Sequence, residues 1–137
     1  MTEPARLRLV LADDHAIVAR GLFLLLKDSY DVVGIVGDGP ALVEFAAEHR
    51  PDVIVADISM PGFDGLTAVR KIRAMGLPSR IVMLTMYADP DLAREAIAAG
   101  ANGFVIKHAA GDELIRAIIA VCQGETYLTP LLPPPQS

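Results

Sequence analysis

The sequence predicts an α/β protein in which five helices cover the two faces of a five-stranded parallel sheet. Short apolar runs rich in Val, Ile and Leu alternate with helical patterns along the chain, and this alternation is typical of such sheets. Because a helix connects each strand to the next, right-handed crossovers should place helices on both faces. The predicted strands lie near residues 7–12, 31–36, 52–56, 81–85 and 103–106. The predicted helices lie near residues 16–27, 40–49, 65–75, 90–99 and 111–122.

Capping residues mark several of the predicted helix ends. Asp64 is suited to cap the third helix, and Asp89 followed by Pro90 is typical of a helix start. Three glycines can supply the left-handed residue that ends a helix: Gly76, Gly100 and Gly124.

Composition favours one folded globular domain. The chain has 137 residues, of which 53% are hydrophobic and 21% charged, so it can bury a sizeable core and is not typical of a disordered protein. Its formal net charge is -5. Binding to nucleic acid phosphates relies on clustered Lys and Arg, so we do not expect this chain alone to bind DNA.

Terminal and cysteine patterns predict a cytoplasmic location. Cys122 is the only cysteine, which excludes an internal disulfide, and the amino terminus lacks the pattern of a signal peptide. The apolar stretches are too short to span a membrane. From Thr126 the chain is rich in proline, so we expect a folded domain over residues 1–125 and a linker or tail over residues 126–137.

Acidic side chains follow two of the predicted strands. Asp13 and Asp14 come directly after the first strand, and Asp57 ends the third. In a flavodoxin-like sheet of strand order 2-1-3-4-5, the first and third strands meet at the topological switch point, where ligands bind. Three carboxylates at one edge repel one another and favour a hard divalent cation, most naturally Mg²⁺.

Two further strand ends add groups that suit a phosphoryl group. Thr85 ends the fourth strand, and Lys107 follows the fifth. A hydroxyl and an ammonium beside a metal-bound carboxylate can stabilise phosphoryl oxygens. The sequence therefore predicts a site at which Asp57 becomes phosphorylated.

Over residues 6–122 the chain resembles the receiver domain of two-component response regulators, whose fold is CheY-like. The resemblance rests on the Asp13-Asp14 pair, on Asp57 in "DISMPGFDG", on Thr85 in "LTMY" and on "GANGFVIK" ending at Lys107. It implies a phosphorylated signalling domain, not an enzyme, with Asp57 accepting the phosphoryl group from a sensor histidine kinase.

The same resemblance assigns roles to individual residues. It implies that Asp14, Asp57 and the backbone carbonyl of Ser59 bind Mg²⁺, and that Asp13 acts through water-mediated contacts. It further implies that Thr85 and Phe104 form a switch pair, in which the hydroxyl moves toward the phosphoryl group and the ring turns inward. Ser59 and Tyr87 should line the entrance of the site.

Within receivers, the chain is most similar to the FixJ/NarL class of LuxR-type regulators. The segments "DDHAIVARGL", "AGANGFVIKHAAGDELIRAI" and "GETYLTP" carry this likeness, and His108 stands where many other receivers have a cis proline. Members of this class usually carry a DNA-binding helix-turn-helix after the receiver. Two readings stay open: the chain is a piece of a longer transcription regulator, or it is a stand-alone single-domain regulator.

Two rival functions have weaker support in the sequence. Aspartyl-phosphate hydrolases typically have an Asp-x-Asp motif at the first strand. Here Asp14 is followed by His15 and Ala16, which does not match that motif. A flavodoxin-like cofactor binder would need a phosphate-binding loop rich in Ser, Thr or Gly after the first strand, where this chain has acids. His15 itself is interpreted as the start of a helix.

The last predicted helix has a wide apolar arc, formed by Leu114, Ile115, Ile118, Ile119 and Cys122. Part of this arc could be a partner surface, and coverage of the core explains it equally well. Together with the likeness to dimerising regulators, it leads us to expect a homodimer through helix 4, strand 5 and helix 5.

Overall fold

The computed structural model describes residues 6–130. Its six strands are β1 (Arg8–Ala12), β2 (Asp31–Val36), β3 (Val53–Asp57), β4 (Arg80–Thr85), β5 (Gly103–Ile106) and β6 (Tyr127–Leu128). Its five α-helices are α1 (Ala16–Leu26), α2 (Gly39–His49), α3 (Gly65–Ala74), α4 (Pro90–Ala99) and α5 (Ala110–Cys122). A 3₁₀ turn over Lys107–Ala109 joins β5 to α5.

The strands form one parallel sheet in the order β2-β1-β3-β4-β5-β6. The doubly wound, flavodoxin-like architecture and the predicted order of the first five strands are confirmed. The number of strands is corrected from five to six. The backbone N–H of Tyr127 donates to the carbonyl of Asn102 at 3.1 Å, and that of Thr129 donates to the carbonyl of Phe104 at 2.9 Å. These bonds pair the new strand with the free edge of β5.

The sixth strand lies in the segment for which the sequence predicts a proline-rich linker. Residues 131–137, which hold the rest of that segment, lie outside the described residues. Within residues 6–130, no helix is both long and apolar enough to cross a membrane.

Alternate residues of the central strands supply the two halves of the core. Val10 and Ile54 belong to the half that packs under α2, α3 and α4. Leu9 and Val53 belong to the half that packs under α1 and α5. This alternation follows from the two-residue period of a strand. The sheet is therefore packed between two helical layers, and side chains at the carboxyl ends of its strands are held in place by a packed core.

The predicted helix ends are present. The carboxylates of Asp64 and Asp89 accept hydrogen bonds from the backbone N–H groups of Thr67 and Asp91 at 2.9 Å each. Gly76, Gly100 and Gly124 all have positive φ, the conformation that glycine adopts most easily.

The apolar arc on α5 is divided between core and surface. Leu114 and Ile118 are fully buried, whereas Ile119 is 49% exposed. Coverage of the core therefore accounts for the inner part of the arc, and a small apolar strip remains at the surface.

Candidate functional site: an acidic pocket at the carboxyl edge of the sheet

Four of the predicted site residues come together at the carboxyl ends of the central strands. Asp57 is the last residue of β3, Asp13 follows β1, Thr85 ends β4 and Lys107 follows β5. Asp13, Asp57 and Thr85 are all buried. Burying two carboxylates is costly unless they are paired, so the arrangement needs a compensating positive charge.

Lys107 supplies that positive charge. Its Nζ lies 2.6 Å from Oδ2 of Asp57 and 2.9 Å from Oδ2 of Asp13. Burial by itself lowers the pKa of Lys107, but the hydrogen bonds and negative charges of Asp57 and Asp13 together outweigh it, so the pKa is raised above its ordinary value. The ammonium is therefore charged at neutral pH and bridges the two buried carboxylates.

The second oxygen of each carboxylate is held by the backbone. Oδ1 of Asp57 accepts a hydrogen bond from the N–H of Ser59 at 3.1 Å, and Oδ1 of Asp13 accepts one from the N–H of His15 at 2.8 Å. Oδ2 of Asp13 is buried and accepts no well-aligned hydrogen bond from the described residues, although Lys107 is close to it. This oxygen retains the capacity to coordinate a cation or a water molecule.

The chain leaving β3 folds back tightly over the site. The N–H of Gly65 donates to the carbonyl of Ile58 at 2.7 Å. A Cβ at Gly65 would lie 2.5 Å from the backbone carbonyl oxygen of Asp57, which is far inside van der Waals contact. Glycine at this position therefore lets α3 begin directly behind the backbone of Asp57.

His15 also lies in the pocket, although the sequence predicted for it only the start of a helix. Asp13, Asp14, His15 and Asp57 each offer one ligand atom, and these four atoms lie within 4.8 Å of one another. Nδ1 of His15 is 3.1 Å from Oδ1 of Asp14. The adjacency of His15 to the acid pair was the available signal, but a histidine at a helix start more commonly has a structural role.

Of the two residues predicted to form the switch, Thr85 lies at the pocket and Phe104 lies in the core. Oγ1 of Thr85 accepts a hydrogen bond from the N–H of Tyr87 at 3.1 Å. The ring of Phe104 is completely buried, and it packs in the core half that lies under α2, α3 and α4. Tyr87 is 70% exposed, in keeping with a residue at the entrance of the site.

A family model and a relative of known name both match this chain, and both are of response regulators. The model of the response regulator receiver domain matches residues 9–119. The oxygen regulatory protein NreC of Staphylococcus epidermidis is 38% identical over 125 residues, which cover 89% of this chain and 57% of NreC. The chain thus spans little more than half the length of this curated relative.

Solved structures agree in fold. A LuxR-family two-component response regulator from Aurantimonas sp. SI85-9A1 superimposes with a TM-score of 0.87 at 34% identity, covering 92% of this chain and 91% of that one. RcsB, in a structure of two dimers bound to two parallel DNAs, superimposes with a TM-score of 0.83 at 28% identity, covering 93% of this chain and 66% of that one.

These matches decide between the classes of function that the sequence left open. The model that fits most of the chain is that of a receiver domain, and the two solved structures and NreC are regulators rather than hydrolases or flavodoxins. The chain belongs to the response regulator receiver domain family, within its LuxR/NarL-type branch of non-enzymatic signalling domains.

Proposed function

We propose that Asp57 accepts a phosphoryl group from the phosphohistidine of a sensor histidine kinase. The observation that carries this proposal is the contact of 2.6 Å between the Lys107 ammonium and the buried Asp57 carboxylate at the mouth of the sheet. A positive charge fixed at this point is already in place to stabilise negative charge that gathers during phosphoryl transfer.

The transfer is a displacement at phosphorus. A carboxylate oxygen of Asp57 forms a bond to phosphorus while the bond from phosphorus to the imidazole nitrogen of the donor breaks. The electron pair of the broken bond stays on the imidazole, and the product is an acyl phosphate on Asp57. Lys107 faces the reacting carboxylate, and the backbone N–H of Ser59 holds its other oxygen in place.

A divalent cation, Mg²⁺, is the cofactor that suits this pocket. Asp14 and Asp57 with the carbonyl of Ser59 would hold it directly, and Asp13 would act through water. The clustering of ligand atoms within 4.8 Å supports this assignment, and so does Oδ2 of Asp13, which faces Lys107 at 2.9 Å but accepts no well-aligned hydrogen bond from residues 6–130. When bound, the ion offsets part of the negative charge on the phosphoryl oxygens.

The metal assignment is tested by calorimetric titration with Mg²⁺. Asp14→Asn should weaken binding more than Asp13→Asn, because Asp14 is the proposed direct ligand and its side chain, 32% exposed, lies at the pocket mouth. The reverse order, or unchanged binding in both variants, would contradict the assignment.

Phosphorylation itself is tested with acetyl phosphate and Mg²⁺, followed by intact-protein mass spectrometry. Wild-type protein should gain one phosphoryl group and Asp57→Asn should gain none. Asp28→Asn is the matched control, because the side chain of Asp28 is 85% exposed and lies outside the pocket. Equal labelling of wild type and Asp57→Asn would show that the acceptor is another residue.

The response to phosphorylation passes through Thr85 and Phe104. An added phosphoryl group is an acceptor that can draw the Thr85 hydroxyl away from the N–H of Tyr87, and Phe104 lies on the neighbouring strand. Thr85→Ala should accept the phosphoryl group yet lose most of the change in amide exchange over residues 85–107. A wild-type exchange response in Thr85→Ala would place the coupling elsewhere.

The output of this switch is an altered surface that controls transcription through a DNA-binding domain. RcsB, whose receiver domain has this fold, forms dimers on DNA, which supports such an output. We further propose a cytoplasmic location and a phosphorylation-dependent homodimer through α4, β5 and α5, a face on which β6 covers the outer edge of β5. In this proposal residues 1–125 are the receiver domain, β6 adds an edge strand to its sheet, and the chain that follows leads toward the output domain.

A further inference from the structure

Glu113 is a buried acid that does not serve the phosphorylation site. It lies in the first turn of α5 and is only 6% exposed. Among residues 6–130, no Lys, Arg or His lies within ion-pair distance of its carboxylate. A buried carboxylate without a cationic partner needs strong hydrogen bonds to remain in place.

Both side-chain donors to Glu113 come from one short segment beyond α5. The hydroxyl of Tyr127 donates to Oε1 at 2.9 Å, and the hydroxyl of Thr129 lies 2.9 Å from Oε1 and 3.0 Å from Oε2. Burial, followed by the hydrogen bond to Glu113, raises the pKa of the Tyr127 phenol above its ordinary value. The phenol therefore keeps its proton and remains a donor at neutral pH.

The other side of this segment is bound to the strand that carries Phe104. The N–H of Thr129 donates to the backbone carbonyl of Phe104 itself, and Leu128 is the register partner of Phe104. Leu128 also packs against the core half that contains the Phe104 ring. Residues 127–129 thus touch both the backbone and the packing environment of the proposed switch residue.

A strand of two residues cannot be stable through its own ladder, so its attachment depends on these contacts with α5 and β5. We propose that residues 127–129 and Glu113 form a C-terminal latch, which reports the state of Phe104 to the chain beyond residue 130. The latch rests on the proposed function, in which phosphorylation of Asp57 shifts the Phe104 ring further toward its buried position. In the structure the latch is closed while the Phe104 ring is buried, so activation that favours the buried ring tightens the latch.

Hydrogen exchange measured by mass spectrometry on the whole chain tests the latch. The phosphoryl mimic beryllium fluoride with Mg²⁺ should slow exchange in a peptide over residues 125–130 by about fivefold or more, the lower end of ordinary allosteric coupling. The amides of Tyr127 and Thr129 are the reporters, because both donate to the β5 side.

Two conservative variants each weaken the latch without changing a residue of the phosphorylation site. Thr129→Val and Tyr127→Phe each delete one donor to Glu113 at nearly constant volume. Both should speed exchange over residues 125–130 in both states and shrink the difference between them. The response over residues 84–90 should remain, and Glu125→Gln, a change at an exposed neighbour, should behave as wild type.

The outcomes separate the latch from the proposed function. A response over residues 84–90 with unchanged or faster exchange over residues 125–130 overturns the latch and leaves the proposed function standing. A full wild-type response over residues 125–130 in both Thr129→Val and Tyr127→Phe also overturns it. No response in either peptide contradicts the proposed function, and the latch falls with it.

Discussion

Lys107 offsets part of the negative charge of the pocket. Its side chain is nearly buried, and its ammonium bridges Asp57 and Asp13, which are themselves buried. Because its folded-state pKa lies above the ordinary value of 10.5, the ion pairs stabilise the folded protein fully at pH values below about 10.5. That stabilisation is lost as the pH rises through the raised pKa.

Replacing this lysine should therefore destabilise the fold. In the absence of metal, Lys107→Met should lower the free energy of unfolding at pH 7 by about 1–3 kcal/mol, because two buried carboxylates lose their partner. Urea unfolding measures the loss, with Lys27→Met as the control because, within residues 6–130, the Lys27 ammonium pairs with exposed Asp28 alone. The difference between wild type and Lys107→Met should shrink at strongly alkaline pH. Equal free energies of unfolding for Lys107→Met and Lys27→Met at pH 7 would show that the bridge contributes nothing to stability.

At the scale of elements, Arg73 at the end of α3 joins three parts of the fold. Its Nε donates to the carbonyl of Gly100 at 2.9 Å, its Nη1 to the carbonyl of Leu77 at 2.8 Å and its Nη2 to Oδ1 of Asn102 at 2.9 Å. The same Asn102 oxygen accepts the N–H of Ile81 at 2.8 Å. The ends of α3 and α4 and the start of β4 are thus tied together beneath the strand that presents Thr85.

The planar guanidinium is needed for this junction. Burial first, and the charge of Arg80 second, lower the pKa of Arg73, yet an arginine remains charged at neutral pH. The single nitrogen of a lysine cannot reach all three acceptors, so Arg73→Lys should cost about 1–3 kcal/mol of stability through part-buried carbonyls that lose their donors.

Arg70→Lys is the matched control on the same helix, because Arg70 is exposed and makes only a long ion pair to Glu95. Thermal and urea unfolding of both variants provide the comparison. If Arg73→Lys costs no more than Arg70→Lys, the junction is not a significant source of stability.

Sequence patterns predicted those elements whose physics is local. The helices and five strands follow from periodicity, and the caps at Asp64 and Asp89 follow from residue type. The strand ends also predicted which acids would share the edge with Lys107, because parallel strands bring their carboxyl ends together.

What the sequence did not predict depends on contacts between distant residues. β6 is a two-residue strand just before prolines, and it forms because β5 offers a free edge and Glu113 needs donors. The Arg73 junction spans 29 residues to Asn102, which no local pattern reveals. The double contact of Lys107 with Asp57 and Asp13 likewise depends on side-chain placement within the folded pocket.

For the whole molecule, the net charge bears on DNA binding and the exposed apolar strip on α5 bears on self-association. With a net charge of -5, the chain alone should not bind duplex DNA specifically. Beryllium fluoride should increase self-association, because the half-exposed Ile119 gives α5 an apolar residue that a second copy of the chain can cover.

Sedimentation with and without beryllium fluoride and a gel shift with random duplex at low salt check these two expectations. Ile119→Lys should abolish any increase in sedimentation, while Ile17→Lys, at an exposed position on α1, is the control. An unchanged sedimentation coefficient would remove the homodimer, and a tight gel shift would place DNA binding in this chain.

The most direct test asks whether Asp57 carries the phosphoryl group. Treating the acetyl-phosphate-labelled protein with sodium borohydride converts a phosphorylated aspartate into homoserine, which peptide mass spectrometry can locate. We expect homoserine at position 57 and unmodified aspartate at positions 13 and 14. Homoserine at either of those positions, or at none of the three, would contradict this expectation.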